Sequence, residues 1–266
     1  AAGHVPPLVA ADQPGGQESA FTGLPPASPS VVGAGGDPAA AAATARAAAA
    51  ALRALHVNMT LAPAADVGVA GGDLEATVFG DDPGRVAAMA RAAADAYRSG
   101  GVIAAVGHFP GQGAASQDPN VGTATVGLGT GDLRRRDLVP FRAVVGAAPV
   151  VIMSNAVYVA FDGVTPAVLL PQAVRMLRRD LRFGGVVMTD DLAATAPVTG
   201  ETVGRAAVDA LRAGADLLYV SGGPQEQEQA YAAVLAATRT GRLPRARLQE
   251  ALLRVLALKR RYGLLR

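Results

Sequence analysis

Six short apolar runs, at 8–11, 57–61, 102–106, 150–153, 186–189 and 217–220, alternate with longer stretches that carry apolar residues at helical spacing. Those stretches, at 37–55, 83–99, 166–181, 201–213, 225–240 and 244–262, mostly open on Asp or Pro and several close near Gly, as helices do. Strand and helix in strict alternation leave a chain few choices, because parallel strands need crossover helices that cover the sheet. The pattern predicts an α/β fold with a parallel sheet. In such folds the carboxyl ends of the strands carry the chemistry, and here the segments 13–36, 62–82 and 110–136 after three strands are long and rich in Gly, Pro and Asp.

Length and composition bound the function. With 266 residues, half of them hydrophobic, the chain can bury one sizeable core, so a single domain over 1–266 is expected. It has no cysteine, and His4, His56 and His108 lie too far apart in sequence for a zinc-binding spacing, so neither a metal nor a cofactor is expected. The net charge of +2 comes from scattered arginines; the run at 134–136 reads as a solvated loop, and nucleic acid is not an expected partner. No apolar stretch reaches the roughly 18 residues of a membrane span, Arg46 and Arg53 interrupting the alanine-rich helix. The chain starts at Ala1 without a signal-peptide pattern, so any export signal has been removed or never existed. No Gly-x-Gly-x-x-Gly or P-loop joins a strand to a helix, which sets nucleotide binding aside.

Two strand ends stand out. Asp190 follows the run Val186, Val187, Met188, where a carboxylate would be held rigidly; the competing role, capping the next helix, can fall to Asp191. His108 ends the run that starts at Val102. It serves either as a ligand contact or as a structural histidine bound to a loop carbonyl. His56, at a helix end, reads as structural, and Asp66 and Asp162 fall in loops without an assigned role.

Seven motifs in order resemble glycoside hydrolase family 3, and within it the single-domain β-N-acetylglucosaminidases. They are Asp12-Gln13-Pro14-Gly15-Gly16, Asn58-Met59-Thr60-Leu61-Ala62-Pro63, Phe79-Gly80-Asp81-Asp82-Pro83, His108-Phe109-Pro110-Gly111, Arg136-Asp137-Leu138-Val139-Pro140-Phe141-Arg142, Thr189-Asp190-Asp191-Leu192 and Ala213-Gly214-Ala215-Asp216. The resemblance implies a (β/α) TIM-type barrel of the family's N-terminal type and a retaining glycosidase acting on cell-wall saccharides outside the cytoplasm or at the cell envelope. It places the nucleophile at Asp190, and Asp12, His108 and Asn120 among the groups that meet the sugar.

The departures from the family pattern carry as much information. The Asp-Ser-His triplet that supplies the family's acid and base falls on Asp118, Pro119 and Asn120, and an amide has no proton to exchange. Asp118 is the substitute acid if burial raises its pKa, although Pro119 and the nearby glycines read as an exposed, mobile loop. Sugar-binding positions of the family read Gly107, Gln112, Pro14 and Thr77, the sole lysine is the distant Lys259, and there is no tryptophan. The expected function is therefore a weak or altered glycosidase, or else an inactive scaffold that binds a saccharide or a protein partner. The family's first βα unit is also missing, so the barrel is expected to be incomplete, trimmed, or covered by a second copy in a homo-oligomer.

Overall fold

The computed structural model describes residues 5–25 and 27–265, which leaves His4 outside the described part. The six expected runs form one parallel sheet in sequence order: β1 (Ala10–Ala11), β2 (Met59–Thr60), β3 (Ile103–Phe109), β5 (Val150–Met153), β7 (Val186–Asp191) and β8 (Leu217–Tyr219). The sheet curls into a half-barrel with β1 and β8 as its edges, the incomplete TIM-like form. A separate parallel pair, β4 (Thr125–Val126) and β6 (Val157–Tyr158), lies outside this sheet and ties down the loop after β3. Two residues each, these strands are too short to show a period in sequence.

The pleat divides the core. Ala104, Val106, Val151, Met153 and Val187 point outward to the helices, whereas Ile103, Ala105, Val150, Ile152, Val186 and Met188 face the concave side. Among the described residues ten α-helices pack around the sheet: α1 (Pro29–Ala34), α2 (Pro38–Ala54), α3 (Pro83–Ser99), α4 (Thr130–Arg135), α5 (Leu138–Val144), α6 (Pro171–Arg175), α7 (Leu192–Thr199), α8 (Val203–Ala213), α9 (Pro224–Arg239) and α10 (Arg245–Arg261). Asp37 and Asp82 cap α2 and α3 through the Ala39 and Arg85 amides, with Pro at the first helical position of each. Ala41, Ala45, Ala48, Ala49 and Leu52 form the buried stripe of α2, and these small side chains let it lie close against α3. The last helix, α10, supplies Leu258 and Val255 to the concave cluster, and its Lys259 donates to the Pro6 carbonyl at 2.8 Å.

The expected helix at 166–181 is broken into a 3₁₀ turn (Ala167–Leu169), α6 and a π turn (Met176–Asp180). Pro171 is the reason, since proline has no amide to continue a helix and holds Leu170 extended. The arginine run also differs from expectation. Arg134 and Arg135 are exposed at the end of α4, but Arg136 is half-buried and bonds Asp137 and the carbonyls of Val67 and Gly68. At the closed end of the sheet, Asp216 is buried against the guanidiniums of Arg178, Arg247 and Arg254 and accepts from the Val187 amide at 3.0 Å. It pins α10 and the π turn to the base of β7 and β8.

Candidate active site

β3 and β7 run further than the apolar runs suggest, so that His108, Asp190 and Asp191 are themselves strand residues. They converge with Asp12, just after β1, on a cavity of about 360 Å³ at the carboxyl end of the sheet. That volume falls in the range of small-ligand sites.

Asp190 is 7% exposed. One oxygen, Oδ1, accepts from the Asp191 amide at 2.8 Å, while Oδ2 has no hydrogen-bond partner among the described residues. The nearest cation to Oδ2 is His108, whose Nε2 is 4.0 Å away. Burial pushes the Asp190 carboxyl up from its ordinary value, and the His108 charge pulls it back down. Asp191 takes the capping role, accepting from the Ala193 amide at 3.0 Å and from the amide and hydroxyl of Ser221. Asp190 is thereby left free of the helix.

His108 is fixed from behind by Asp66. The Asp66 Oδ2 lies 2.9 Å from the ring Nδ1 and accepts the His108 amide at 3.0 Å, and Oδ1 accepts the Gln112 amide at 2.7 Å. Burial opposes a charge on the ring, but the Asp66 hydrogen bond and the charges of Asp66, Asp190 and Asp12 outweigh it and raise His108 to about 9. The imidazole is therefore a cation at neutral pH, with Nε2–H turned toward Asp190. Gly111 makes this turn feasible: it has φ +118°, and a Cβ there would stand 2.5 Å from the Asp137 Cβ.

Asp12 presents an exposed edge to the cavity, yet its surroundings desolvate it and, with Asp190 and Glu18 nearby and His108 opposing, raise its carboxyl to about 6. The neighbouring Gln13 is structural. Its side chain staples the loop after β1 through both backbone groups of Phe21 and the Leu24 carbonyl.

Asp118 and Asn120 also line the cavity, so every candidate from the sequence meets there. The loop bearing them is more tightly tied than its composition suggests. Pro119 is buried, the Ser116 amide and hydroxyl bracket Thr125, and Gln117 reaches the Thr123 carbonyl. Asp118 Oδ1 accepts the Asn120 amide at 2.9 Å, and the Asn120 side-chain carbonyl faces the Asn155 amide at 3.4 Å. Gly107, Gln112, Pro14 and Thr77 line the cavity too. The Thr77 hydroxyl is spent on the Leu74 carbonyl, and the Gln112 side-chain oxygen on Ser154. His56 and Asp162 are exposed, and neither is among the residues that line the cavity.

Sequence reasoning missed Asp66 and Asn155. Asp66 sits in the loop after β2, so the strand-end rule that singled out His108 applied to it equally. Asn155, 1% exposed, donates to the Asp191 carbonyl at 2.9 Å and accepts from the Thr195 hydroxyl at 2.6 Å. It too follows a strand end, two residues after β5, but its role was hidden because its partners are dispersed along the chain.

The model of the glycosyl hydrolase family 3 N-terminal domain matches residues 1–258. The chain belongs to glycosyl hydrolase family 3. It is 33% identical to an uncharacterized secreted glycosyl hydrolase of Arthroderma benhamiae over 97% of this chain and 76% of that one. It is 32% identical to the β-hexosaminidase LpqI of Mycobacterium tuberculosis over 78% of this chain and 55% of that one. Among solved structures, a family 3 β-N-acetylglucosaminidase from Paenibacillus sp. str. FPU-7 superposes with a TM-score of 0.89 at 34% identity, over 98% of this chain and 51% of that one. The chain thus spans about half the length of the latter two. Within family 3 it is β-N-acetylhexosaminidase-like. No described helix is long and apolar enough to cross a membrane.

Proposed function

We propose that this chain is the barrel of a retaining glycosidase for β-linked hexosaminides, of which the N-acetylglucosaminides of cell-wall saccharides are the form the resemblance implies, and that it works outside the cytoplasm or at the cell envelope. The observation that carries the reading is Asp190: a buried carboxylate at the end of β7, with one oxygen unpartnered and a cationic imidazole 4.0 Å away. Asp190 attacks C1 of the sugar from one face and forms a glycosyl-enzyme, which water then opens. The His108 cation favours the ionised carboxylate against burial, and Asp66 holds the ring in place. Asp12 accepts sugar hydroxyls at the rim. Proton transfer to the leaving oxygen falls to Asp118 or to water, because Asn120 stands where the family's histidine would. Without a positioned acid and base the rate drops by ~10²–10⁴.

Asn120 favours a second reading as well: a scaffold that binds a saccharide or a protein partner without turnover. An aryl β-N-acetylglucosaminide separates the two. Release of the aryl alcohol that Asp190→Ala abolishes supports the glycosidase, and the same background from both proteins leaves the binding scaffold.

A further inference from the structure

Charge at the cavity wall is lopsided. Six carboxylates line it, Asp12, Glu18, Asp66, Asp118, Asp190 and Asp191, and among the described lining residues there is no lysine or arginine. His108 is the one lining side chain that can carry a positive charge, and Asp66 already engages it at 2.9 Å. Asp191 is satisfied by amides and a hydroxyl. Asp12 and Glu18 have no side-chain hydrogen bond among the described residues, and the buried Asp190 Oδ2 is unpartnered as well. The rest of the wall is neutral, partly polar (Gln112, Thr77, Asn120) and partly apolar (Leu61, Ile152, Met188), and brings no cation.

We propose that the cleft selects β-glycosides of a hexosamine whose 2-amino group is free and protonated over the N-acetylated form, the ammonium adding to the single positive charge, on His108, that the wall sets against six carboxylates. The inference rests on the reading of this cavity as a hexosaminide site. A buried carboxylate oxygen without a partner is costly, and a ligand cation offsets that cost where a neutral acetamide cannot. The ammonium also offers three donors to the carboxylates, which are the charged groups of this wall apart from His108.

The test is equilibrium binding to the full chain by calorimetric or NMR titration at about pH 7, where a sugar amine is still largely protonated and Asp12, raised to about 6, is largely ionised. Methyl β-glucosaminide, methyl β-N-acetylglucosaminide and methyl β-glucoside are compared, the last being neutral and without the bulk of the acetyl group. The amine is expected to bind about tenfold more tightly than either neutral sugar, as two partly exposed ion pairs allow. That preference should shrink severalfold in about 0.5 M salt and in Glu18→Gln. Binding of the N-acetyl form at least as tight as the amine overturns the proposal, as does a glucoside that matches the amine, a preference indifferent to salt, or no binding of any of the three. Turnover of aryl glycosides is followed in parallel. Amine preference without turnover leaves selectivity standing and removes the glycosidase; Asp190-dependent turnover without amine preference does the reverse.

Discussion

On the proposed glycosidase reading, Asn120→His should raise the rate of aryl glycoside hydrolysis. Asn120 is exposed at its outer side and lines the cavity, and its side chain makes a single long contact, 3.4 Å to Asn155. Its replacement therefore costs the fold no more than ~1 kcal/mol, the net worth of one hydrogen bond. In exchange an imidazole joins the wall of the cavity that Asp190 also lines, with the Asp118 carboxylate two residues upstream already turned back onto the backbone of 120 at 2.9 Å. A positioned acid and base contributes ~10²–10⁴ in rate, or about 2.7–5.5 kcal/mol of barrier. The gain should appear with aryl glycosides whose leaving group is a poor one and must be protonated, and should nearly vanish with a strongly acidic phenol, which departs unaided. Pro119→Ser added to Asn120→His tests whether the rigid ring holds the new side chain back. If both variants melt like the parent yet release poor leaving groups no faster, a missing proton carrier is not what limits this site.

Three further outcomes follow from the same geometry. Asp216→Ala leaves Arg178, Arg247 and Arg254 crowded around an empty position, and breaking a buried charge cluster costs about 3–5 kcal/mol, so the melting temperature in a calorimetric scan should fall by roughly 6 °C or more. His108 has a folded pKa of about 9 against an ordinary 6.5, so its stabilisation is complete below about pH 6.5 and is lost as pH rises through about 9; melting temperature should decline across that window, and less so in His108→Gln. In Gly113→Ala the new Cβ would lie 2.0 Å from the Val67 carbonyl oxygen, displacing the segment that carries Asp66; thermal stability should drop by ~1–3 kcal/mol and saccharide binding should be lost with it.

The sheet was legible in the sequence because its inner strands β2, β3, β5 and β7 are buried on both faces and read as apolar runs, and the runs matched the six paired strands in order. Their ends were not legible. His108, Asp190 and Asp191 look like loop residues because polar side chains end the apolar run, yet the backbone pairing of β3 and β7 continues through them. α1, α4, α5 and α7 have six to eight residues each, about two turns, too few for a helical period to emerge. The meeting of Asp12, His108, Asp118, Asn120 and Asp190 at one cavity followed from strand order and motif. The pairing of Asp66 with His108 did not, because 42 positions separate them and only the sheet brings them side by side. Arg136 was hidden for another reason: a run of three arginines suggests one solvated surface, whereas the helix end turns the third inward to the Val67 and Gly68 carbonyls.

Which interactions survive in the cavity bears on whether the site is merely a remnant. Those that hold the strand ends in place are satisfied: Asp66 on the His108 and Gln112 amides, Asn155 on the Asp191 carbonyl, the Thr189 hydroxyl on the Tyr219 amide at 2.8 Å. Two carboxylates that face the cavity, Asp190 and Asp12, are not. Asp190 keeps an oxygen unpartnered in a site that disfavours its charge, and Asp12 is raised to about 6 by the same surroundings. Each is a cost to the folded state that Asp190→Asn or Asp12→Asn would relieve without disturbing the hydrogen bonds behind them. Buried atoms elsewhere are also unpartnered, Asp137 Oδ2 and Arg247 Nε among them, but of these groups it is Asp190 that lines the cavity, where an entering ligand can supply the missing partner. If Asp190→Asn leaves the melting temperature unchanged or lowers it, the carboxylate is a comfortable part of the structure and the argument for a ligand loses its energetic basis.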